Sequence, residues 1–211
     1  PYSPNSPYAA TKAGADHLVR AWYRTYGLPI LVSHSANNYG PYQFPEKLIP
    51  LMTLNALHGL PLPVYGDGQQ VRDWLFVDDH AEGLLRILEQ GEPGQSYNLA
   101  GGVERRNLQV VEAVCEQLEV LAPQTAVARQ AGGPGYLSLV QRVADRPGHD
   151  FRYAMDARRA RDALDWQPVE GFQGGLQKTL AWYLANLDRW ERDGNGGWRY
   201  RREISLSSAG E

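Results

Sequence analysis

The chain has 211 residues, of which 43% are hydrophobic, and a formal net charge of -3 at pH 7. That length allows a full domain with a large core, and so small a charge gives no indication of a nucleic-acid surface. Cys115 is the only cysteine, so it forms no intramolecular disulfide, and with five scattered histidines it builds no metal cluster. The sequence shows no membrane-length apolar run and no signal peptide, which fits a reducing, cytoplasmic setting.

The first elements predicted along the chain are a helix and a buried strand. Ser6 can cap the helix, Pro7 suits its first turn, and Gly27 ends it. The apolar run 28–37 predicts the strand, and a polar turn is expected at 37–41. A helix followed by a strand is typical of half a βαβ unit, in which ligands bind at the carboxyl ends of the strands.

Helices and short strands alternate in the remainder of the sequence. Trp22 and Trp182 fall on helical periods and are expected in the core. The Pro/Gly/Ser-rich stretch 123–138 predicts a loop. The other predicted elements are helices within 45–59, 78–88, 107–121, 156–166 and 171–190, two strands around a Gly-Asp-Gly turn in 61–77, and short strands within 95–100 and 150–155.

Tyr8 and Lys12 are four residues apart, so a helix places both side chains on one face. An ammonium group beside a tyrosine favours the phenolate form, which can accept a proton from a sugar hydroxyl while a cofactor takes the hydride. The spacing also fits an exposed pair without function, because a chain with 12 tyrosines contains such pairs by chance. The pair alone leaves both interpretations open.

Longer motifs accompany this pair in order along the chain. They are SPYAATKAGADHLVRAWYRTYGLP, NNYGPYQFPEKLIPL, LPVYGDGQQVRDWLFVDDHA, YNLAG and VADRPGHDFRYAMDA. With them the chain resembles the extended short-chain dehydrogenase/reductase family, and within it the dehydratases that act on dTDP-glucose. The segments EKLIP and DRPGHD are more specific to this resemblance than the Tyr-Lys pair, and the region GGPGYLSLVQ departs from it in loop length.

The resemblance implies an α/β fold, with the C-terminal part of a Rossmann-like NAD-binding domain and a small mixed α/β substrate-binding lobe. We expect the NAD-binding remnant in 1–45, the sugar-nucleotide lobe in 46–190, with segments near 73–90 packing back on the Rossmann part, and a loose tail in 191–211. No glycine-rich dinucleotide fingerprint lies between a strand and a helix in this sequence. We therefore expect the chain to be the back portion of a larger enzyme, beginning just before its reactive tyrosine.

The resemblance also implies a role for each candidate residue. Tyr8 would remove the proton of the sugar 4-hydroxyl, and Lys12 would bind the nicotinamide ribose of NAD and tune Tyr8. Asn37 and Asn38 would lie at the boundary between the sugar phosphate and the cofactor. The other substrate-binding residues would be Lys47 and Leu48 at the sugar nucleotide, Pro63 and Tyr65 at the base, Arg72 at the diphosphate, Asn107 at the nucleotide, and Asp145, Arg146 and His149 closing the site.

Physical chemistry supports some of these roles, because a diphosphate favours guanidinium forks and a tyrosine can stack on a pyrimidine. Most of the candidates nevertheless have a structural alternative. These alternatives are an exposed strand-edge cation for Arg72, a loop ion pair for Arg146 and Asp145, a surface position for His149, plain core for Tyr65, turn formation for Asn37 and Asn38, a solvated helix cation for Lys47, and a helix cap for Asn107.

The implied reaction is the NAD-dependent dehydration of dTDP-glucose, by oxidation at C4, loss of water across C5 and C6, and return of the hydride to C6. In the family, the Asp and Glu that serve the elimination precede the tyrosine and are absent from this sequence, so we expect the chain alone to be inactive. A homodimer is expected for the complete protein, since family members pair through a four-helix bundle that uses the tyrosine helix. Open alternatives are a sibling sugar-nucleotide epimerase or decarboxylase, a non-catalytic sugar-nucleotide-binding remnant, and a structural module without a ligand.

Overall fold

The structure is a computed structural model that describes residues 3–123 and 135–201. Its helices and strands follow the order expected from the sequence. The α-helices are α1 (Pro7–Tyr26), α2 (Leu48–Leu57), α3 (Val77–Gln90), α4 (Asn107–Leu121), α5 (Arg158–Leu164) and α6 (Phe172–Ala185), with 3-10 helices at Tyr136–Leu139 and Leu187–Arg189. The strands are β1 (Val32–Ser35), β2 (Asn37–Tyr39), β3 (Leu62–Tyr65), β4 (Val71–Phe76), β5 (Ser96–Leu99), β6 (Glu104–Arg106), β7 (Val140–Val143), β8 (Arg152–Tyr153), β9 (Trp190–Arg192) and β10 (Trp198–Tyr200).

The strands pair in small sheets, and β4 is the centre of the largest one. The second half of β4 runs parallel to β2, whereas its first half lies between antiparallel β6 and parallel β8. Two further parallel pairs, β1 with β5 and β3 with β7, complete the α/β arrangement. The single strand β4 therefore links the part of the chain that contains β2 with the part that contains β8.

One element differs from the expectation, and a second is as expected but pairs in a way that the sequence does not show. Asn37–Tyr39 form a strand rather than a turn, because their backbone pairs with Trp74–Phe76 of β4. The Gly-Asp-Gly sequence at 66–68 does form a turn, but β3 and β4 on either side of it do not pair with each other in the described structure. Each of them finds a parallel partner elsewhere, so the turn separates two sheets.

Helix α1 begins and ends where the sequence predicts. The Ser6 hydroxyl oxygen accepts a hydrogen bond from the backbone N–H of Ala9 at 3.1 Å, and Gly27 ends the helix with φ 68°. None of its described side chains is buried, and Trp22 is 53% exposed, so the expectation that Trp22 is a core residue is wrong. Among the described residues, no helix combines the length and the apolar character needed to cross a membrane.

The main core lies between α2, α4 and α6 on one side and β3 and β4 on the other. Its centre includes Met52, Val114, Leu118 and Leu176, each at most 1% exposed. Cys115 also lies there, and burial, with a smaller contribution from nearby glutamates, raises the pKa of its thiol to about 12. The lone cysteine is thus an apolar core residue.

A second apolar cluster joins the region of β1 to α3, β5 and α5. The cluster contains Ala36, Leu75, Ile87 and Leu99. Trp166 is a further buried member of it. The indole N–H of Trp166 donates to the backbone carbonyl of Asp79 at 3.1 Å. Residues in 73–90 therefore pack against the part of the chain assigned to the NAD-binding remnant, while the division into domains stays a prediction.

The tail expected to be loose over 191–211 is ordered through residue 200. β9 and β10 form an antiparallel hairpin, because Trp190 and Trp198 are buried against Leu54 and Tyr183. Trp198 also donates its indole N–H to Asn55 Oδ1 at 2.8 Å. Residues 202–211 lie outside the described residues, as do 124–134 of the predicted loop.

We expect Trp198→Ala to lower the free energy of unfolding by about 3–5 kcal/mol, because it removes a buried indole and the donor to Asn55 Oδ1. Trp22→Ala is the matched control. It should change the free energy of unfolding by less than about 0.5 kcal/mol, because Trp22 is exposed. Urea unfolding followed by far-UV circular dichroism gives both values. Equal losses for the two variants would contradict this account of the hairpin.

Candidate functional site

Most of the residues predicted to bind the substrate surround one cleft of about 480 Å³. The cleft opens where β2, β3 and β4 meet the beginnings of α2 and α4, together with the loop that follows β7. The predicted residues in its wall are Asn37, Asn38, Lys47, Leu48, Pro63, Tyr65, Arg72, Asn107, Arg146 and His149. The structure thus brings together residues up to 112 positions apart in sequence, and their individual binding roles stay predictions.

Arg72 lies on β4 and is anchored by backbone carbonyls. Its Nη1 donates to the carbonyl of Val71 and its Nη2 to that of Asp150, both at 2.7 Å. Burial lowers the pKa of Arg72, Asp150 opposes that shift, and Arg146 contributes to it. The group remains cationic at neutral pH. Its position is therefore fixed by the loop that carries Arg146, so Arg72 is more than a solvated strand-edge cation.

Arg146 places a second positive charge in the same cleft. Its guanidinium carbon lies 5.0 Å from the centre of the Tyr65 ring, within the range of a cation–π contact. Its Nη2 lies 3.1 Å from His149 Nε2. Two guanidinium groups that repel each other in one concave wall favour an anion between them. The cleft is therefore suited to a phosphate-bearing ligand.

Asp145 is not in the cleft wall but supports two residues that are. Its Oδ1 accepts hydrogen bonds from His149 Nδ1 at 2.7 Å and from the backbone N–H of Arg146 at 2.8 Å. Its Oδ2 accepts one from Gln70 Nε2 at 2.9 Å. These bonds, led by that from His149, lower the pKa of Asp145. Asp145 thus contacts Arg146 through the Arg146 backbone N–H and not through a direct ion pair of the side chains. The His149 imidazole lies between the two side chains.

Asn38 presents an unsatisfied acceptor at the cleft. Its Nδ2 lies 3.2 Å from His80 Nδ1, and burial lowers the pKa of His80, which favours a neutral imidazole that accepts this bond. Gln43 Nε2 donates to the Asn38 backbone carbonyl at 2.8 Å. Oδ1 of Asn38 is buried and has no partner in the described residues. A buried acceptor of this kind suits a hydroxyl or amide donor from a ligand.

Lys47 and Asn107 stand at the beginnings of two helices that border the cleft. Lys47 precedes α2 and pairs with Glu46 at 2.7 Å, and both side chains are more than half exposed. Such a pair contributes little to stability, so Lys47 can turn toward a ligand at small cost. Asn107 is the first residue of α4 rather than its cap, and its backbone N–H donates to the Gln70 carbonyl at 2.9 Å.

Tyr8 and Lys12 are neighbours on α1 but are not part of the cleft wall. The Lys12 Nζ atom is 5.8 Å from the centre of the Tyr8 ring, and Tyr8 is 72% exposed. The loop at the edge of the cleft touches the chain just before α1, since an added Cβ at Gly148 would lie 3.3 Å from the Asn5 carbonyl oxygen. The loop that carries Arg146 and His149 therefore lies next to the beginning of α1, and the catalytic role of the Tyr-Lys pair stays a prediction.

Several contacting residues were not predicted from the sequence. Gln70 and His80 hold predicted site residues in place, yet a lone glutamine or histidine gives no signal of burial. Only the position of Gln70 two residues before Arg72 associates it with the site. The unpredicted residues of the cleft wall are Gln43, Glu46, Leu51, Met52 and Trp74.

Comparison with solved structures gives the class of fold. A dTDP-glucose 4,6-dehydratase from Streptomyces venezuelae with NAD and TYD bound matches with a TM-score of 0.81 at 43% identity, over 90% of this chain and 55% of that one. A UDP-glucose 4-epimerase from Thermus thermophilus in complex with NAD matches with a TM-score of 0.72 at 30% identity, over 87% and 56%. The chain therefore has the Rossmann-like α/β fold of NAD-binding sugar-nucleotide dehydratases and epimerases.

Sequence comparison gives the family. The model of the GDP-mannose 4,6 dehydratase family matches residues 1–179, so the chain belongs to this family. A dTDP-glucose 4,6-dehydratase of Neisseria meningitidis serogroup B is 55% identical over 202 residues, which are 96% of this chain and 56% of the relative. One from Escherichia coli is 50% identical over 95% of this chain and 54% of the relative. The chain spans about half the length of the curated relatives it matches.

We expect the contribution of Asp145 to stability to depend on pH. Its pKa is lowered in the folded state, so the ionised carboxylate stabilises the fold above the unfolded value of about 3.9, and this contribution is lost as the pH falls through the folded value. The difference in unfolding free energy between the wild type and Asp145→Asn should therefore be largest from pH 5 upward and shrink below about pH 4. Urea unfolding from pH 3 to pH 7 measures it.

The control for this experiment is Asp188→Asn, which changes an exposed carboxylate outside the cleft. It should show little of the pH dependence seen for Asp145→Asn. A difference between wild type and Asp145→Asn that stays constant over the whole pH range would contradict the role assigned to the ionised form of Asp145.

Proposed function

We propose that the protein to which this chain belongs is an NAD-dependent lyase that converts dTDP-glucose to dTDP-4-keto-6-deoxyglucose. In this proposal the chain supplies the sugar-nucleotide cleft and the Tyr8-Lys12 pair. The observation that carries it is the convergence of Arg72, Arg146 and Tyr65 in the wall of one cleft, with the Arg146 guanidinium 5.0 Å from the centre of the Tyr65 ring. The identity of 50–55% to two dTDP-glucose dehydratases, against 30% to an epimerase, supports a dehydratase over the epimerase alternative.

The cleft offers a matching group for each part of a nucleoside diphosphate. Arg72 and Arg146 would bind the diphosphate through charge-assisted hydrogen bonds. Tyr65 is 41% exposed and, with Pro63 and Leu48, provides an apolar surface for the base. The side chain of Asn107 offers a donor and an acceptor to the nucleotide. The volume of about 480 Å³ is within the usual range for small-molecule sites.

The residues present also fit the cofactor. The unpaired Oδ1 of Asn38 can accept a hydrogen bond from a nicotinamide nucleotide, and the Lys12 ammonium can bind ribose hydroxyls. NAD, when bound, supplies the hydride acceptor for oxidation at C4 and the donor for the final reduction at C6. Tyr8 would remove the 4-hydroxyl proton, with the Lys12 ammonium 5.8 Å from the centre of its ring.

Oxidation at C4 makes the C5 proton acidic, and water can then leave across C5 and C6. The proposal assigns none of these 211 residues to that elimination, so the chain by itself is expected to be inactive. A cytoplasmic location and a homodimer of the complete protein stay predictions from the sequence.

Isothermal titration calorimetry of the chain with dTDP, UDP and NAD tests this proposal. We expect dTDP to bind more tightly than UDP. Arg72→Ala should weaken dTDP binding about tenfold or more, because a charge-assisted hydrogen bond is lost. Arg199→Ala, which removes an arginine paired with Glu191 in the hairpin, should leave dTDP binding unchanged. Absence of binding for both nucleotides, or equal effects of the two arginine variants, would contradict the proposal.

A further inference from the structure

Gln70 is a buried polar residue at the back of the cleft, and none of the predicted roles includes it. It is 5% exposed and lies between the turn at 66–68 and β4. Its Nε2 donates to Asp145 Oδ2 at 2.9 Å, and its backbone carbonyl accepts from the N–H of Asn107 at 2.9 Å. One residue thus contacts both the helix that begins at the cleft and the loop that closes it.

The buried carboxamide of Gln70 lowers the stability of the folded protein, because one of its polar atoms is unpaired. Its Oε1 is buried and has no hydrogen-bond partner in the described part of the chain. An apolar side chain of the same length would fill the space without burying an unpaired acceptor. A function other than packing therefore explains the glutamine better, and the side-chain hydrogen bond that it makes within the described residues leads to Asp145.

From Asp145 the hydrogen bonds continue through His149 to Arg146. The guanidinium of Arg146 can only donate, so His149 Nε2, at 3.1 Å, must accept. The proton of the neutral imidazole is then on Nδ1, which donates to Asp145 Oδ1 at 2.7 Å. The His149 side chain is 6% exposed, so the ring is held in this orientation. Asp145 thereby selects the tautomer that can hold Arg146.

We propose that Gln70 is a positioning residue that fixes the Arg146 guanidinium for the diphosphate of a nucleotide ligand, acting through Asp145 and His149. This inference rests on the proposed function, because it requires that Arg146 binds the diphosphate. Gln70 touches no ligand itself. It orients the carboxylate, the carboxylate orients the imidazole, and the imidazole holds the guanidinium over Tyr65. Its effect should therefore appear only for ligands that carry the diphosphate.

The test compares the affinities of the chain for dTDP and for thymidine, both measured by calorimetry. Gln70→Met should weaken dTDP binding about tenfold, which corresponds to about 1.4 kcal/mol, and leave thymidine binding within about twofold of the wild type. Gln69→Met is the matched control, since the neighbouring glutamine is bonded to Asp67 through its backbone N–H. It should change neither affinity. A parallel loss of dTDP and thymidine binding in Gln70→Met would overturn the proposal.

A double-mutant cycle separates positioning from general loss of structure. In an Arg146→Ala background, Gln70→Met should cause no further loss of dTDP affinity, because its effect passes through Arg146. Additive losses would overturn the proposal.

Gln70→Glu, which keeps the volume but faces Asp145 with an acceptor, should lower the ratio of dTDP to thymidine affinity in the same way if Gln70→Met does not fold. A wild-type chain that binds no dTDP refutes the proposed function, whereas wild-type binding that Gln70→Met leaves unchanged refutes only this inference.

Discussion

Two positive charges in one concave wall are the constraint on which the site depends. Arg72 and Arg146 would repel each other, and both are held in place by neutral groups: backbone carbonyls for Arg72, and the His149 imidazole for Arg146. The same bonds that place Arg72 also anchor the loop that carries Arg146. The wall therefore keeps its geometry without a ligand and is ready for an anion, which reduces the entropic cost of binding.

Strand β4 connects this anion site to the rest of the fold. Its first half, with Arg72, pairs with β6 and β8, and its second half pairs with β2, which carries Asn38. The arginine that would bind the diphosphate and the unpaired acceptor of Asn38 thus lie on two neighbouring strands, β4 and β2. The parallel pairing of β4 with β2 therefore contributes to bringing both groups into the wall of one cleft.

Capping residues and helical periods in the sequence predict where the helices lie. Contacts between distant parts of the chain decide which residues are buried and which short strands pair, and the sequence alone does not show these contacts. The ends of α1 follow from Ser6 and Gly27, because caps act within a few residues. Trp22 was misplaced because a helical period shows that a face is apolar but not that something covers it. The hairpin was missed because three-residue strands have no period, and its stability comes from Trp190 and Trp198 in a distant core. The motifs predicted most of the cleft wall but not Gln70, because the sequence does not show that its side chain bonds to Asp145, 75 positions away.

A crystal structure of the chain with dTDP tests the central claim most directly. The account predicts the diphosphate within hydrogen-bonding distance of both Arg72 and Arg146, with the thymine beside Tyr65. The His149 imidazole should still lie between Asp145 and Arg146. A nucleotide bound elsewhere, such as in the cavity of about 330 Å³ between Gly102 and Arg161, with neither arginine in contact with a phosphate, would contradict it.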